Sequence, residues 1–107
     1  MILNVKETMF HGDSEKVLKS FPPKQLEQFA TSLFYLACGG QPALRAKSMN
    51  GLGDGVMELL KNGHPAYRCV YVIRGDVLHV LHAFVKTSGG TDKKHETTIK
   101  QRFKQID

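Results

Sequence analysis

The sequence predicts an α+β fold in which N-terminal helices pack on an antiparallel sheet and a C-terminal helix follows. Three observations predict it. An apolar stripe at helical spacing lies within residues 22–39, two strand-like segments flank Gly75-Asp76, and a basic helical segment closes the chain. Helices grouped before an antiparallel meander indicate α+β rather than a doubly wound sheet. With 107 residues, the chain is expected to form one domain over residues 1–107.

The N-terminal segment predicts one strand and one short helix. Residues 2–7, ILNVKE, alternate apolar and polar side chains as a short strand does. Asp13 or Ser14 suits the N-cap of a helix. The inner side of that helix is expected to carry Val17, Leu18 and Phe21.

Residues 22–39 predict the clearest helix. Pro22 or Pro23 suits its first turn, and Gly39 suits its C-terminal cap. Its apolar positions recur at helical spacing and form a broad stripe that another element must cover. They are Leu26, Phe29, Ala30, Leu33, Phe34 and Ala37.

The second half predicts a loop, three strands and a helix. Residues 41–55 contain one proline and three glycines and are expected to be a connector. Residues 56–62 favour a strand, and residues 66–74 and 77–86 favour strands more strongly because β-branched and aromatic residues dominate. Residues 91–106 predict the final helix, with Thr91 or Asp92 as its cap.

The register of the hairpin follows from its turn. Gly75-Asp76 fits a type II′ turn, which pairs Cys69 with His82 and Tyr67 with Phe84 on one face. That face is richer in large apolar groups, so we expect it to pack on the helix of residues 22–39. His82 is then interpreted as a packed histidine held by a hydrogen bond.

Arg68 falls on the other face of the hairpin, where two interpretations stay open. It projects toward a bound phosphate, or it lies over the sheet and covers apolar surface. Lys86 continues the row of Tyr67 and Phe84 in this register, so it and Arg68 lie on opposite faces. A bulge or a twist at the strand end is required for the two cations to converge.

Composition and charge favour an anionic partner. The net charge is +5, which makes nucleic acid the first candidate partner. No apolar run reaches the roughly 20 residues of a membrane span and no secretory signal is visible, so we expect a cytoplasmic protein without membrane contact. Cys38 and Cys69 have no further Cys or His at ligand spacing, which indicates reduced core residues rather than a zinc site.

Basic residues cluster after the hairpin and in the preceding connector. Such a run is either the solvated face of a terminal helix or the rim of a cleft that grips a nucleic-acid backbone. The residues concerned are Arg45, Lys47, Lys93, Lys94, Lys100 and Arg102.

An ordered set of short motifs resembles the phage-related HigB-like toxins of the RelE/ParE superfamily. The set comprises Glu58-Leu59, Tyr67-Arg68, Leu81-His82 with Phe84 and Lys86, and the basic segment from Lys93 to Arg102. Three positions depart from the family pattern. Leu60 stands where the family has arginine, Thr87 stands for the second lysine of a pair, and Asp92 stands for a proline.

The resemblance implies a RelE-like, microbial-RNase-like fold and a toxin of a type II toxin–antitoxin system. Such a toxin is a ribosome-dependent mRNA endonuclease that inhibits translation and needs neither metal nor cofactor. Its implied partners are the ribosome, mRNA and a HigA-like helix-turn-helix antitoxin. Cleavage by such folds uses the RNA 2′-hydroxyl as nucleophile and needs a base, cations that stabilise the phosphorane, and an acid.

The resemblance also suggests residue roles. Arg68 is expected to stabilise the phosphorane and Lys86 to hold a phosphate, while Glu58 or His95 transfers protons. For His95 the alternative is an exposed helix histidine. The basic residues of the connector and the final helix are expected to touch RNA or ribosome backbone.

Two other functions remain open on the same scaffold. One is a non-enzymatic, ParE-like inhibitor of gyrase. The other is a catalytically inactive module that binds RNA or antitoxin, which the changes to Leu60 and Thr87 favour.

Overall fold

A computed structural model describes residues 4–87 and 93–106, which form a mixed α+β structure. Its elements in chain order are β1 Glu7–Phe10, α1 Ser14–Lys19, α2 Pro23–Ala37, β2 Arg45–Ser48, β3 Met57–Lys61, β4 Ala66–Arg74, β5 Val77–Lys86 and α3 Lys93–Lys104. The α+β class predicted from the sequence is confirmed. None of the described helices is both long enough and apolar enough to cross a membrane.

The strands form one five-stranded sheet in the order β1-β5-β4-β3-β2. β1 runs parallel to β5 and the other neighbours are antiparallel, so the sheet is mixed and not antiparallel throughout as predicted. Because side chains alternate along β4, the sheet carries an apolar cluster on each side. Cys69 and Tyr71 pack with Phe29 of α2, whereas Val70 packs on the opposite side with Ile99 of α3.

Both N-terminal helices lie where the sequence predicts them, although Asp13 at the start of α1 makes no side-chain capping hydrogen bond. Leu18 and Phe21 are buried, and α2 begins at Pro23 with Gly39 just beyond its end at a φ of 86°. The apolar stripe of α2 is wider than the surface that covers it, since Phe34 is 59% exposed at the border of an open apolar groove. The predicted caps of the final helix, residues 91 and 92, lie outside the described residues.

Two strands differ from the predictions. The first strand begins at Glu7, so residues 4–6 of the predicted strand lie before it, and residues 2 and 3 lie outside the described residues. Val5 has 49% of its surface exposed. The predicted connector contains β2, which pairs with β3 at the sheet edge. Its four residues, RAKS, are mostly exposed and lack apolar alternation, so periodicity carried no signal for a strand.

The hairpin register is correct near the turn and wrong beyond it. Gly75 has a φ of 56°, and the predicted pairs hold up to Tyr71 opposite Val80. A register shift between Val70 and Tyr71 then places Val70 opposite His82, and this β-bulge leaves Leu81 as the extra residue of β5.

The bulge changes which face several side chains occupy. His82 and Phe84 were predicted to pack on α2, but they lie on the α3 side, with His82 against His95 and Phe84 in the α3-side cluster. Phe84 is now the direct partner of Arg68. Lys86, two residues beyond Phe84, therefore shares a face with Arg68, and the bulge supplies the convergence of the two cations.

Candidate functional site

The α3-facing side of the sheet gathers four of the predicted charged residues. Lys47 of β2 lies opposite Glu58 of β3, and Glu58 lies opposite Val70 of the α3-side cluster. Arg68 and Lys86 lie further along the same face on β4 and β5. Three cations therefore surround one carboxyl group on a surface that the edge of α3 borders.

Arg68 is held firmly at this surface. Its Nη1 donates to the Tyr67 carbonyl at 3.0 Å, and its Nη2 donates to Oδ1 of Asn62 at 3.0 Å. Its Nε lies 3.9 Å from Oε1 of Glu58. With only 7% of its surface exposed, the side chain lies within the sheet surface rather than projecting from it.

An open pocket of ≈ 390 Å³ nevertheless reaches Arg68. Lys86 and Thr87 border it on the β5 side, and the loop between β3 and β4 borders it on the other. The two cations that the resemblance assigns to phosphate binding thus line the same cavity. Asn62, which orients the guanidinium, was not found by sequence reasoning, because an asparagine in a loop carries no pattern of its own.

Glu58 is the buried acid of the site, with 4% of its surface exposed. Burial raises the pKa of its carboxyl group, and the nearby charges of Arg68, Lys47 and Lys86 only partly oppose that rise. A carboxyl group whose pKa is raised in this way is a better proton acceptor than an exposed glutamate.

His82 and His95 form a hydrogen-bonded pair on the same side of the sheet, with β4 lying between His82 and Glu58. Nε2 of His82 lies 2.7 Å from Nδ1 of His95, and the His95 ring stacks on Phe84 with centroids 4.1 Å apart. Phe84 is the cross-strand partner of Arg68. His95 therefore lies over β5, close to the pocket that Arg68 and Lys86 line. His95 is half-buried, so the alternative of an exposed helix histidine does not describe it.

His82 is packed and hydrogen-bonded, as predicted. Burial is the main cause that lowers the pKa of His82, the charges of His95 and Arg102 add to it, and Asp13 opposes them; together they bring the pKa to about 4. The sequence predicted the hydrogen bond but not its partners, His95 and Arg102, which both come from α3.

The other predicted cations are distributed around the site. Arg45 lies on the same face of β2, opposite the buried Leu60. Lys47 of β2 is exposed, as are Lys93, Lys94 and Lys100 on α3. Arg102 differs from them, because its guanidinium is turned inward onto Leu81, His82 and Asp13. Within residues 4–87 and 93–106, no group of three or more His, Cys, Asp or Glu side chains is arranged to hold a metal ion.

Comparison with known proteins identifies the family. A family model described as phage-derived protein Gp49-like (DUF891) matches residues 16–104, which run from α1 to the end of α3. No curated protein and no solved structure matches the chain significantly. The chain therefore belongs to the phage-derived Gp49-like family, a toxin-like family of toxin–antitoxin systems.

Proposed function

We propose that the chain is the toxin of a type II toxin–antitoxin system, a HigB-like protein with a RelE-like fold that cleaves mRNA on the ribosome. One observation carries the proposal: the β-bulge brings Arg68 and Lys86 to the same pocket, on the sheet face that also holds the buried Glu58. Cations beside a proton acceptor are what cleavage by the RNA 2′-hydroxyl requires.

In the proposed reaction, the Glu58 carboxylate takes the proton of the 2′-hydroxyl. The 2′-oxygen forms a bond to phosphorus, and the bond from phosphorus to the 5′-oxygen breaks, which leaves a cyclic phosphate. Lys86 holds a non-bridging oxygen and Arg68 stabilises the added charge of the phosphorane. The departing 5′-oxygen accepts a hydrogen bond from His95 and takes a proton from water, and the hydroxide that remains takes the proton held by Glu58.

The exposed cations have a separate role in the proposal. Arg45 and Lys47 on β2, together with Lys93, Lys94 and Lys100 on α3, bind the phosphate backbone of mRNA or ribosomal RNA. Contacts of this kind contribute affinity without reading sequence. Their flanking position, on either side of the pocket, fits a strand of RNA crossing the sheet face.

The test is to induce the chain in bacterial cells and map mRNA ends within minutes. We expect translation to stop and new 5′-ends to accumulate in ribosome-bound messages. Glu58→Gln and Lys86→Gln should abolish both effects. Lys24→Gln removes one charge from an exposed position of α2, on the opposite side of the sheet, and should remain fully active.

Three outcomes contradict the proposal. A DNA-damage response without mRNA cuts indicates a gyrase inhibitor, and normal growth indicates an inactive binding module. Cleavage that survives in both Glu58→Gln and Lys86→Gln shows that the reaction takes place elsewhere. The implied antitoxin is tested by co-expressing a short helix-turn-helix protein from a neighbouring gene, which should restore growth and co-purify with the chain.

A further inference from the structure

Arg102 is a basic residue of α3 whose guanidinium is bonded within the protein. Its Nη1 donates to the Leu81 carbonyl at 2.9 Å and lies 3.2 Å from Nδ1 of His82. Its Nη2 lies 2.9 Å from Oδ1 of Asp13, with which it forms an ion pair. Only 18% of its side chain is exposed.

The chain leaves space for this arrangement at Gly12. A Cβ atom built on Gly12 would lie 2.5 Å from both Cζ and Nη2 of Arg102, closer than a Cβ atom comes to another heavy atom. The guanidinium is thus packed against bare backbone. Asp13 follows directly in the chain, so the same turn provides both the space and the counter-charge.

The bonds of Arg102 determine the protonation of two histidines. A guanidinium only donates, so Nδ1 of His82 is an acceptor and the proton of neutral His82 lies on Nε2. That Nε2–H donates to Nδ1 of His95 across 2.7 Å. His95 therefore accepts at Nδ1, and its own proton lies on Nε2, away from His82.

This chain of donors excludes one of the roles that the resemblance leaves open for His95. A protonated His95 would carry a hydrogen at Nδ1, and this hydrogen would clash with the Nε2–H of His82. With Nδ1 engaged and Nε2 protonated, His95 has no free lone pair and is not a base. It is instead a neutral donor of one hydrogen bond.

We propose that Arg102 is a positioning residue that sets the tautomer of His82 and thereby presents the Nε2–H of His95 to the site. The inference goes beyond the role of Arg102 as an RNA contact. Its catalytic consequence, in which His95 donates to a phosphorane or leaving oxygen while Glu58 acts as base, rests on the proposed function. The tautomer itself does not.

Each element around His82 contributes to this control. α3 supplies His95 and Arg102, the turn before α1 supplies Asp13, and β5 supplies the apolar Phe84, whose ring stacks on His82 with centroids 5.4 Å apart. The ion pair with Asp13 holds the guanidinium in place and balances its charge. His82 is therefore kept neutral by a donor on one ring nitrogen and an acceptor on the other.

The experiment is a ¹⁵N–¹H correlation spectrum of the imidazole rings of the full chain without RNA. In the wild type at pH 8, we expect a protonated Nε2 and an unprotonated Nδ1 at both His82 and His95. Arg102→Ala should convert His82 into a mixture of tautomers. Lys104→Ala, which removes an equal charge from an exposed position of α3, should leave both signals unchanged.

A proton on Nδ1 of His82 in the wild type would overturn the proposal, and this measurement needs no variant. An unchanged spectrum in Arg102→Ala would overturn it too. Should Arg102→Ala fail to fold, Arg102→Met keeps a long side chain, removes every donor and serves in its place. If the wild-type chain does not cleave mRNA, the proposed function is refuted. The tautomer assignment of His82 and His95 would not be affected.

Activity provides a second readout. Arg102→Ala should lower the rate of ribosome-dependent cleavage by up to about 10²-fold, the low end of what a positioned proton-bearing side chain contributes. When ribosome binding of Arg102→Ala is measured at several salt concentrations, the slope of log affinity against log salt concentration should equal that of the wild type. A slope reduced by about one charge would show that Arg102 contacts phosphate instead.

Discussion

Placing a methyl group on Gly12 should release Arg102 from the histidine pair. Gly12 has a φ of 53°, so Gly12→Ala incurs the cost of an L-residue in the left-handed region, about 1 kcal/mol. The added Cβ also overlaps the guanidinium at 2.5 Å, so Arg102 must leave its site. Hydrogen bonds from a charged donor are each worth about 1.5–3 kcal/mol, although the exposure of Asp13 reduces its share.

We therefore expect Gly12→Ala to lower the free energy of unfolding by about 3–4 kcal/mol. Gly39→Ala is the control, since Gly39 has a φ of 86° and its added Cβ would meet nothing within 4 Å. Gly39→Ala should lower the free energy of unfolding only through the left-handed backbone conformation, by about 1 kcal/mol. Urea unfolding followed by circular dichroism gives both values.

A double-mutant cycle isolates the contact itself. In an Arg102→Ala background, Gly12→Ala has no guanidinium to displace and should cost only about 1 kcal/mol, which gives a coupling of about 2–3 kcal/mol. Equal costs of Gly12→Ala in both backgrounds would refute the reasoning. So would a Gly12→Ala protein whose His82 keeps a single protonated Nε2.

The remaining predictions concern pH, the buried acid and the pocket. The folded pKa of His82, about 4, lies below its unfolded value, so the unfolded chain binds more protons between about pH 4 and 6.5. The free energy of unfolding should rise across that window by about 1–2 kcal/mol after allowance for solvent screening, and less in His82→Gln. Glu58→Gln should raise the free energy of unfolding at pH 7 while abolishing cleavage, because the raised pKa of Glu58 means that its surroundings disfavour the charged carboxylate. A destabilised Glu58→Gln protein would contradict this. Asn62→Ala should leave Arg68 with fewer acceptors and reduce cleavage without changing the slope of ribosome binding with salt, which a filter-binding series would check.

The sequence predicted the elements whose side chains repeat with a period. α2 and the strands of the hairpin carry strong apolar patterns, and the bounds of all three elements lie close to the predicted ones, although the register beyond the bulge does not. β2 carries no pattern because an exposed edge strand of four residues has no buried face. The site residues Glu58, Arg68 and Lys86 were found through a resemblance, since periodicity alone does not distinguish a buried charge from an apolar neighbour.

Local turn chemistry in the sequence determined the hairpin and its register as far as Tyr71 and Val80. Only the tertiary structure decided the pairing beyond that point, because one extra residue in β5 moves every later side chain to the other face. Whether His82 meets α2 or α3, and whether Arg68 and Lys86 meet at all, depends on which position of β5 bulges. That choice depends on packing against two helices at once, which no single stretch of sequence encodes.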